Sequence, residues 1–456
     1  MHIHFIGICG VAMSALAIAF HKKGYEVTGS DKGFYPPVST NLKGQGIKYY
    51  PGWHPEKMGQ PDLVIVGNVA GSKNPEWIKV QEENIPYLSY PEAIAKFWLK
   101  ENSIVVAGSY GKTTNTTLLS WIFSECKLDP SYMFGAIAQN DLDPAHIGEG
   151  NVSILEGDEY KSSRWDNGPK FAHYSPTHLL LTAAEWDHAD IYPTEKLYVE
   201  TFKKLAKNVP ESGLIIANKN AKNVAEVIED AKTKVITYGN ANCDYIFTNI
   251  KESKTGLKFE IIHNEQSWQI ESPMIGSYNA ENICASFAMA REFGLPAAKI
   301  VEAIKSFKGI KRRLEKRSSG AIDVYDDIAH SPAKAKSALE NVQKIYNGKV
   351  FAIFEPNTGN RQEEAKPSYD EVFKAADTVI IPRLTRIKQD PTKPIAMDGK
   401  ALTETIAKTH SNVILEEDDE KLVEYLKENA TEENVIIFLG SHGFRGMIEE
   451  LVTRIS

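Results

Sequence analysis

Cysteine is scarce in this chain. The four cysteines, Cys9, Cys126, Cys243 and Cys284, are spread through 456 residues. No two stand at metal-ligand spacing, and they form no disulfide framework. They read as reduced thiols, so the expected setting is cytoplasmic. Long apolar runs are absent as well, and no stretch approaches the ~20 residues of a membrane span. The opening Met1-His2-Ile3-His4-Phe5-Ile6-Gly7 reads as a strand entering a glycine turn, so no leader is expected there. Basic residues are not in excess: 52 Lys and Arg face 60 Asp and Glu, a formal net charge of −8. That argues against a nucleic-acid partner, but a few local cations can still hold an anionic small molecule. The pattern sets no oligomeric state.

With 42% hydrophobic and 25% charged residues, each part of the chain can bury a core. The length suggests about three domains. A strand begins near Ile3, a glycine turn follows, and a helix ends near Gly24. A second strand, Glu26-Val27-Thr28-Gly29, stops at Ser30-Asp31. This is a βαβ opening with an acid after its second strand. Polar residues 98–103 mark a boundary near Glu101, and the basic Lys311-Arg312-Arg313 marks another. The predicted domains are 1–101, 102–311 and 312–456. All are α/β, because short apolar strands alternate with helices. The first and third are expected to be Rossmann-like. The middle one should be a parallel sheet of the P-loop ATPase type, with a small antiparallel excursion between about Lys234 and Ile275.

The most informative segment is Val105-Val106-Ala107-Gly108-Ser109-Tyr110-Gly111-Lys112-Thr113-Thr114. A strand runs into a glycine loop that opens a helix, with Leu118, Leu119, Ile122 and Phe123 on one face. Loop and helix N–H groups can cradle phosphate oxygens there. Lys112 is placed to reach the β/γ-phosphates, and the Thr113 hydroxyl to face Mg²⁺. The loop is two residues shorter than the common Walker A spacing. Two acidic strand ends follow, Glu156-Gly157-Asp158-Glu159 and Glu185-Trp186-Asp187-His188-Ala189-Asp190. In a doubly wound sheet both converge on the phosphate loop. Glu156 and His188 are candidate metal contacts, whereas Asp190 reads as a solvated or capping acid. The N-terminal turn, Gly7, Cys9-Gly10 and Met13, approaches a dinucleotide fingerprint without completing it. NAD(P), another diphosphate and a purely structural turn all remain open. In the third domain, Arg312-Arg313 can clamp a phosphate or pair with an acid. His330 can contact phosphate, act catalytically, or simply be a satisfied loop histidine.

Together these motifs resemble the ATP-dependent Mur ligases over the whole chain. The further segments that carry the likeness are Ser277-Tyr278-Asn279-Ala280-Glu281-Asn282, Arg312-Arg313-Leu314-Glu315 and Asp326-Asp327-Ile328-Ala329-His330-Ser331-Pro332. The resemblance implies an amide-forming ligase with ATP and Mg²⁺ as cofactors, working through an acyl phosphate. It implies ATP contacts at Gly108, Gly111, Lys112, Thr113, Thr114, Asn279, Asn282, Arg313 and Asp327. It implies catalytic roles for Lys112, His188 and His330, and a metal held by Thr113, Glu156 and His188. The first domain would hold a UDP-sugar at Gly7, Cys9, Gly10, Met13, Ser30 and Asp31, and the third an amino acid or peptide. The implied partners are UDP-N-acetylmuramate and the murein tripeptide L-Ala-γ-D-Glu-meso-diaminopimelate, as in peptidoglycan recycling. Tyr35-Pro36-Pro37-Val38-Ser39-Thr40 and Lys170-Phe171-Ala172-His173-Tyr174 are similar to the tripeptide branch. The alternative amine is L-alanine. A more distant alternative is an NAD(P)-dependent oxidoreductase, in which Gly111-Lys112-Thr113 would have no work. Two positions depart from the family: Ser109-Tyr110 where Thr-His is usual, and Ser331 where a second histidine is common.

Overall fold

The computed structural model describes residues 1–35, 38–188, 191–318, 320–386 and 396–455. Three sheets follow one another along the chain. The first has five strands in the order Lys48–Pro51, Glu26–Asp31, His2–Ile6, Leu63–Val66, Tyr87–Ser89. All pair in parallel, with Ile3 between Val27 and Leu63. Helix Val11–Lys22 covers one face and buries Leu16, Ala17 and Phe20. Leu63–Val66 is buried at every position, as a central parallel strand covered on both faces must be.

The second sheet has ten strands. At its centre Asn102–Ala107 lies between Val152–Gly157 and His178–Leu181, all parallel. Leu214–Asn218 and Lys234–Gly239 extend it in parallel on one side. Further out lie Tyr245–Ser253, Gly256–His263 and Gln266–Ser272. Two-residue turns connect these neighbours, which forces them antiparallel. In the second turn Asn264 and Glu265 both have positive φ, the conformation a tight hairpin requires. The antiparallel excursion is therefore present but starts later than expected: Lys234–Gly239 is parallel to both its neighbours, and the direction alternates only from Tyr245–Ser253 onward. Helix Lys112–Glu125 packs on this sheet and fully buries Leu118, Leu119, Ile122 and Phe123. Its threonine-rich start is a poor helix former. There Thr116 and Thr117 donate their hydroxyls to carbonyls one turn back, which makes their burial tolerable.

The third sheet has the order Glu315–Lys316, Asp323–Asp327, Val435–Gly440, Val350–Glu355, Thr378–Pro382, Val413–Glu416. Only the first pairing is antiparallel. The chain forms two compact units. One comprises Met1–Asn249, Phe259–Glu271 and Ala280–Phe307. The other comprises Ile250–Lys258, Ser272–Asn279 and Lys308–Ser456. No helix among the described residues is long and apolar enough to cross a membrane.

Candidate active site

In the first unit the phosphate loop leaves strand Asn102–Ala107 and enters helix Lys112–Glu125 at Gly111. Gly108 (φ +141°) and Gly111 (φ +77°) both hold left-handed-side backbone that a side chain resists. The loop is tied down from the next strand end: Ser109 N–H donates to the Ala183 carbonyl at 3.2 Å, and Ser109 Oγ to the Glu185 carbonyl. The Lys112 ammonium donates to the Gly108 carbonyl and lies 2.9 Å from Glu159 Oε2. Thr113 Oγ1 donates to Glu156 Oε1 at 2.6 Å, and Gly135 N–H donates to Glu156 Oε2 at 2.7 Å. Thr114 is half-buried in the same helical turn. His188 Nε2 lies 3.3 Å from Glu159 Oε1, not beside Glu156. That hydrogen bond holds the His188 pKa above its ordinary value, although burial opposes it. Asn282 is buried and accepts from Asn115 Nδ2 at 2.9 Å; a Cβ on Gly111 would stand 2.8 Å from its Oδ1. The unusual Tyr110 is half-exposed, and its backbone carbonyl accepts from Thr182 Oγ1 at the next strand end.

The N-terminal turn is braced from the second strand. Gly7 and Ile8 N–H groups donate to the Ser30 carbonyl at 2.9 and 3.0 Å, and Cys9 N–H donates to Asp31 Oδ2 at 2.8 Å. The Asp31 carboxylate thus shapes the turn. Burial and the Asp31 charge push the Cys9 thiol up to about 11, so it is neutral at physiological pH. The Ser30 side chain is fully buried and donates to Glu76, so it faces the interior of the sheet and not the turn. Gly10 caps helix Val11–Lys22, whose first turn carries no acid. Such a helix start favours an anion.

A cavity of about 320 Å³ joins these two regions. Gly10, Met13 and Asn68 line it on the N-terminal side, and Glu156, Asp158 and Lys170 on the other. Lys170 Nζ lies 2.5 Å from Asp158 Oδ2. Burial pushes the Asp158 carboxyl up, but the Lys170 ammonium and the Tyr160 N–H outweigh it. The net position is below the usual carboxylate range.

In the second unit Arg312 (φ +59°) turns inward. Its guanidinium donates to the carbonyls of Gly440, Ser441 and His442 and pairs with Asp326. It braces the fold, while neighbouring Arg313 is exposed. Asp327 accepts from Leu314 and Ala329 N–H, both at 2.8 Å, and burial raises its pKa. His330 Nδ1 donates to the Ile328 carbonyl at 2.7 Å. This leaves Nε2 as the lone-pair nitrogen of a neutral ring, and burial lowers the pKa, which keeps the ring neutral. The Asn279 amide donates to the Ile275 carbonyl at 2.8 Å.

Three family models match the chain: Mur ligase family, catalytic domain, over residues 2–101; Mur ligase middle domain over 106–290; and Mur ligase, glutamate ligase domain, over 312–442. The Escherichia coli UDP-N-acetylmuramate–L-alanyl-γ-D-glutamyl-meso-2,6-diaminoheptandioate ligase is 32% identical over 428 residues, covering 90% of this chain and 93% of its own. The chain belongs to the Mur ligase family. This Mur ligase is therefore an ATP-dependent ligase that forms a carbon–nitrogen bond. The UDP-N-acetylmuramate–L-alanine ligase of Dictyoglomus turgidum is 31% identical over 417 residues, covering 90% of this chain and 87% of its own. The UDP-N-acetylmuramate–alanine ligase structure from Thermotoga maritima has the same fold. Its TM-score is 0.81 at 23% identity, with 100% of this chain and 99% of that one covered.

Within this Mur ligase the first unit gathers Gly108, Gly111, Lys112, Thr113, Glu156, His188 and Asn282 around one loop. Asn279, Arg313, Asp327 and His330 belong to the second unit. Ser30 is the candidate whose side chain points elsewhere. Asp190, with Pro36 and Pro37 of the Tyr35-to-Thr40 motif, lies outside the described residues. Sequence reasoning gave no role to Glu159, whose side chain is fully buried where Lys112, His188 and Tyr198 converge. Among the described residues no group of three or more His, Cys, Asp or Glu is arranged for a metal. Magnesium does not need one, since it takes one or two protein oxygens with water and phosphate. The adjoining oxygens of Thr113 and Glu156 fit that demand.

Proposed function

We propose that this Mur ligase joins the carboxylate of UDP-N-acetylmuramate to the amino end of the murein tripeptide L-Ala-γ-D-Glu-meso-diaminopimelate, with ATP and Mg²⁺. The cavity carries the reading of the acceptor. Its N-terminal wall is a helix start suited to a pyrophosphate, and its far wall holds Glu156, hydrogen-bonded to Thr113 of the phosphate loop. A UDP-sugar bound across it extends its acid toward the γ-phosphate. On this reading Gly7, Cys9, Gly10, Met13 and Asp31 shape the sugar-nucleotide end. Gly108, Gly111, Thr113 and Thr114 cradle the ATP phosphates with Asn282 beside them in the first unit, and Asn279, Arg313 and Asp327 are the nucleotide-contacting residues of the second unit. Thr113 and Glu156 hold magnesium, with His188 acting through Glu159 or water. Bound magnesium supplies charge neutralisation on the phosphates.

Lys112 places a cation on the transferring phosphate, and this charge stabilisation is its catalytic contribution. The substrate carboxylate oxygen attacks the γ-phosphorus, and the bond to ADP breaks. The amine then attacks the acyl carbon and phosphate leaves. Neutral His330 can accept the amine proton at Nε2. In this scheme residues 1–101 hold the sugar nucleotide, 102–311 the ATP and 312–456 the amine.

The Tyr35-to-Thr40 and Lys170-to-Tyr174 motifs, together with the E. coli relative, support the tripeptide as amine. Of the third-domain cations available to its carboxylates, Arg361 is buried and donates to the Met397 and Thr385 carbonyls, and Arg383 pairs with Asp419. Arg386 is exposed, and Lys388 lies outside the described residues. The test is phosphate release with saturating UDP-N-acetylmuramate and either amine. The expected kcat/KM for the tripeptide is at least about a hundredfold above that for L-alanine, equivalent to about 2.7 kcal/mol. Faster ligation of alanine would reverse the amine assignment and leave the ATP chemistry standing.

A further inference from the structure

The cavity wall presents an electrostatic problem. If the acceptor's acid must come close to Glu156, it enters a space already lined by two carboxylates, Glu156 and Asp158. Like charges at close range in a partly buried cavity repel strongly. Among the described residues that line the cavity, Lys170 is the one cation. The guanidinium of Arg164 lies nearby but is turned to the Asn68 carbonyl at 2.7 Å.

Lys170 is also held in place. It starts the short helical turn Lys170–His173, and its N–H donates to the Tyr160 carbonyl at 3.0 Å. The preceding strap, residues 161–169, is closed by a bridge between Lys161 and Pro169. Asp166 carries His173 on it at 2.8 Å. The ammonium has three donors, and one is fixed on Asp158 at 2.5 Å. The Lys170 side chain is only 19% exposed, so the charge is directed by its surroundings and not free in water.

We propose that Lys170 is a specificity-determining residue that reads the free carboxylate of the sugar-nucleotide acceptor, with Asp158 as its positioning anchor. The inference rests on the acceptor reading above. Lys170 would distinguish a UDP-sugar that carries an ether-linked carboxylic acid from one that carries a hydroxyl at the same position. The pyrophosphate end, at the start of helix Val11–Lys22, would bind both alike.

The probes are UDP-N-acetylmuramate and UDP-N-acetylglucosamine, which differ by the lactyl acid. Calorimetric titration of the full chain should give at least a tenfold preference for the muramate. Lys170→Met should bring that preference below threefold without changing affinity for UDP-N-acetylglucosamine, a pattern that general unfolding cannot produce. Lys170→Arg should retain part of the preference. If Lys170→Met does not fold, Lys170→Gln keeps a donor to Asp158 while removing the charge, and the same loss is expected. Full preference in a folded Lys170→Met or Lys170→Gln variant overturns the role of Lys170 and leaves the acceptor reading intact. A wild-type protein that binds neither UDP-sugar overturns both.

Discussion

Lys112 shows how far a motif can be read and where it stops. The strand, glycine loop and helix around it were legible because each has a local pattern. Its partner was not. In Glu156-Gly157-Asp158-Glu159 the strand ends at Gly157, so alternation no longer says which acid turns inward. Glu159 does, and its carboxylate is fully enclosed by Lys112, His188 and Tyr198. Lys112 is therefore both a proposed phosphate ligand and the cation of a buried acid. Lys112→Ala should abolish ATP-dependent phosphate release. It should also lower stability by about 1–3 kcal/mol, because a buried charged group loses its partner. Adding Glu159→Gln should restore most of the stability in urea melts but none of the turnover. Recovery of turnover in the double variant would mean that Lys112 acts only by neutralising Glu159, and the phosphate role would fall.

At the scale of elements, the phosphate loop was legible as strand-turn-helix, but not how tightly it is pressed against the next strand end. A Cβ on Gly108 would stand 2.1 Å from Thr182 Oγ1 and 2.7 Å from the Ala183 nitrogen, and that backbone is fixed by the sheet. A Cβ on Gly111 would meet the Asn282 side chain at 2.8 Å, with φ at +77°. The left-handed backbone alone disfavours alanine there by roughly 1–2 kcal/mol. Gly108→Ala should therefore weaken binding of a fluorescent ATP analogue more than Gly111→Ala, and both more than Gly443→Ala, where nothing lies within 4 Å. Equal affinities in all three would show that the loop does not carry the phosphates. The N-terminal turn was legible in the same partial way. Its glycines and the Asp31 brace follow from the βαβ pattern, but the inward-facing Ser30 hydroxyl depends on Glu76, a contact across 46 residues. Strand alternation could have flagged it, since Gly29 and Asp31 flank Ser30 on the opposite face.

At the scale of the molecule, the succession of α/β sheets could be read from alternating strands and helices, and the hairpin excursion from its change of period. The grouping of Ile250–Lys258 and Ser272–Asn279 with the C-terminal residues could not. A strand's own pattern says which face is apolar, not which body it joins. The same limit applies to charge. Asp326 sits between Arg312 and Arg317, at 3.4 and 3.3 Å, and two guanidiniums by themselves would lower its pKa. Burial wins: it raises the carboxyl to about 6 against both arginines. The native state then holds a proton that the unfolded chain has already released between about pH 4 and 6. Stability from this group is fully present below its unfolded pKa and is lost as pH rises through about 6. An asparagine cannot titrate, so Asp326→Asn should gain on the wild type across that window, by on the order of 3 kcal/mol. Above pH 7 the difference should be flat. Denaturant melts of both proteins at pH 4.5, 5.5 and 7.5 measure it directly. A difference that stays flat from pH 4.5 to 7.5 would mean that the arginines dominate, with Asp326 ionised throughout as one arm of a stabilising ion-pair network.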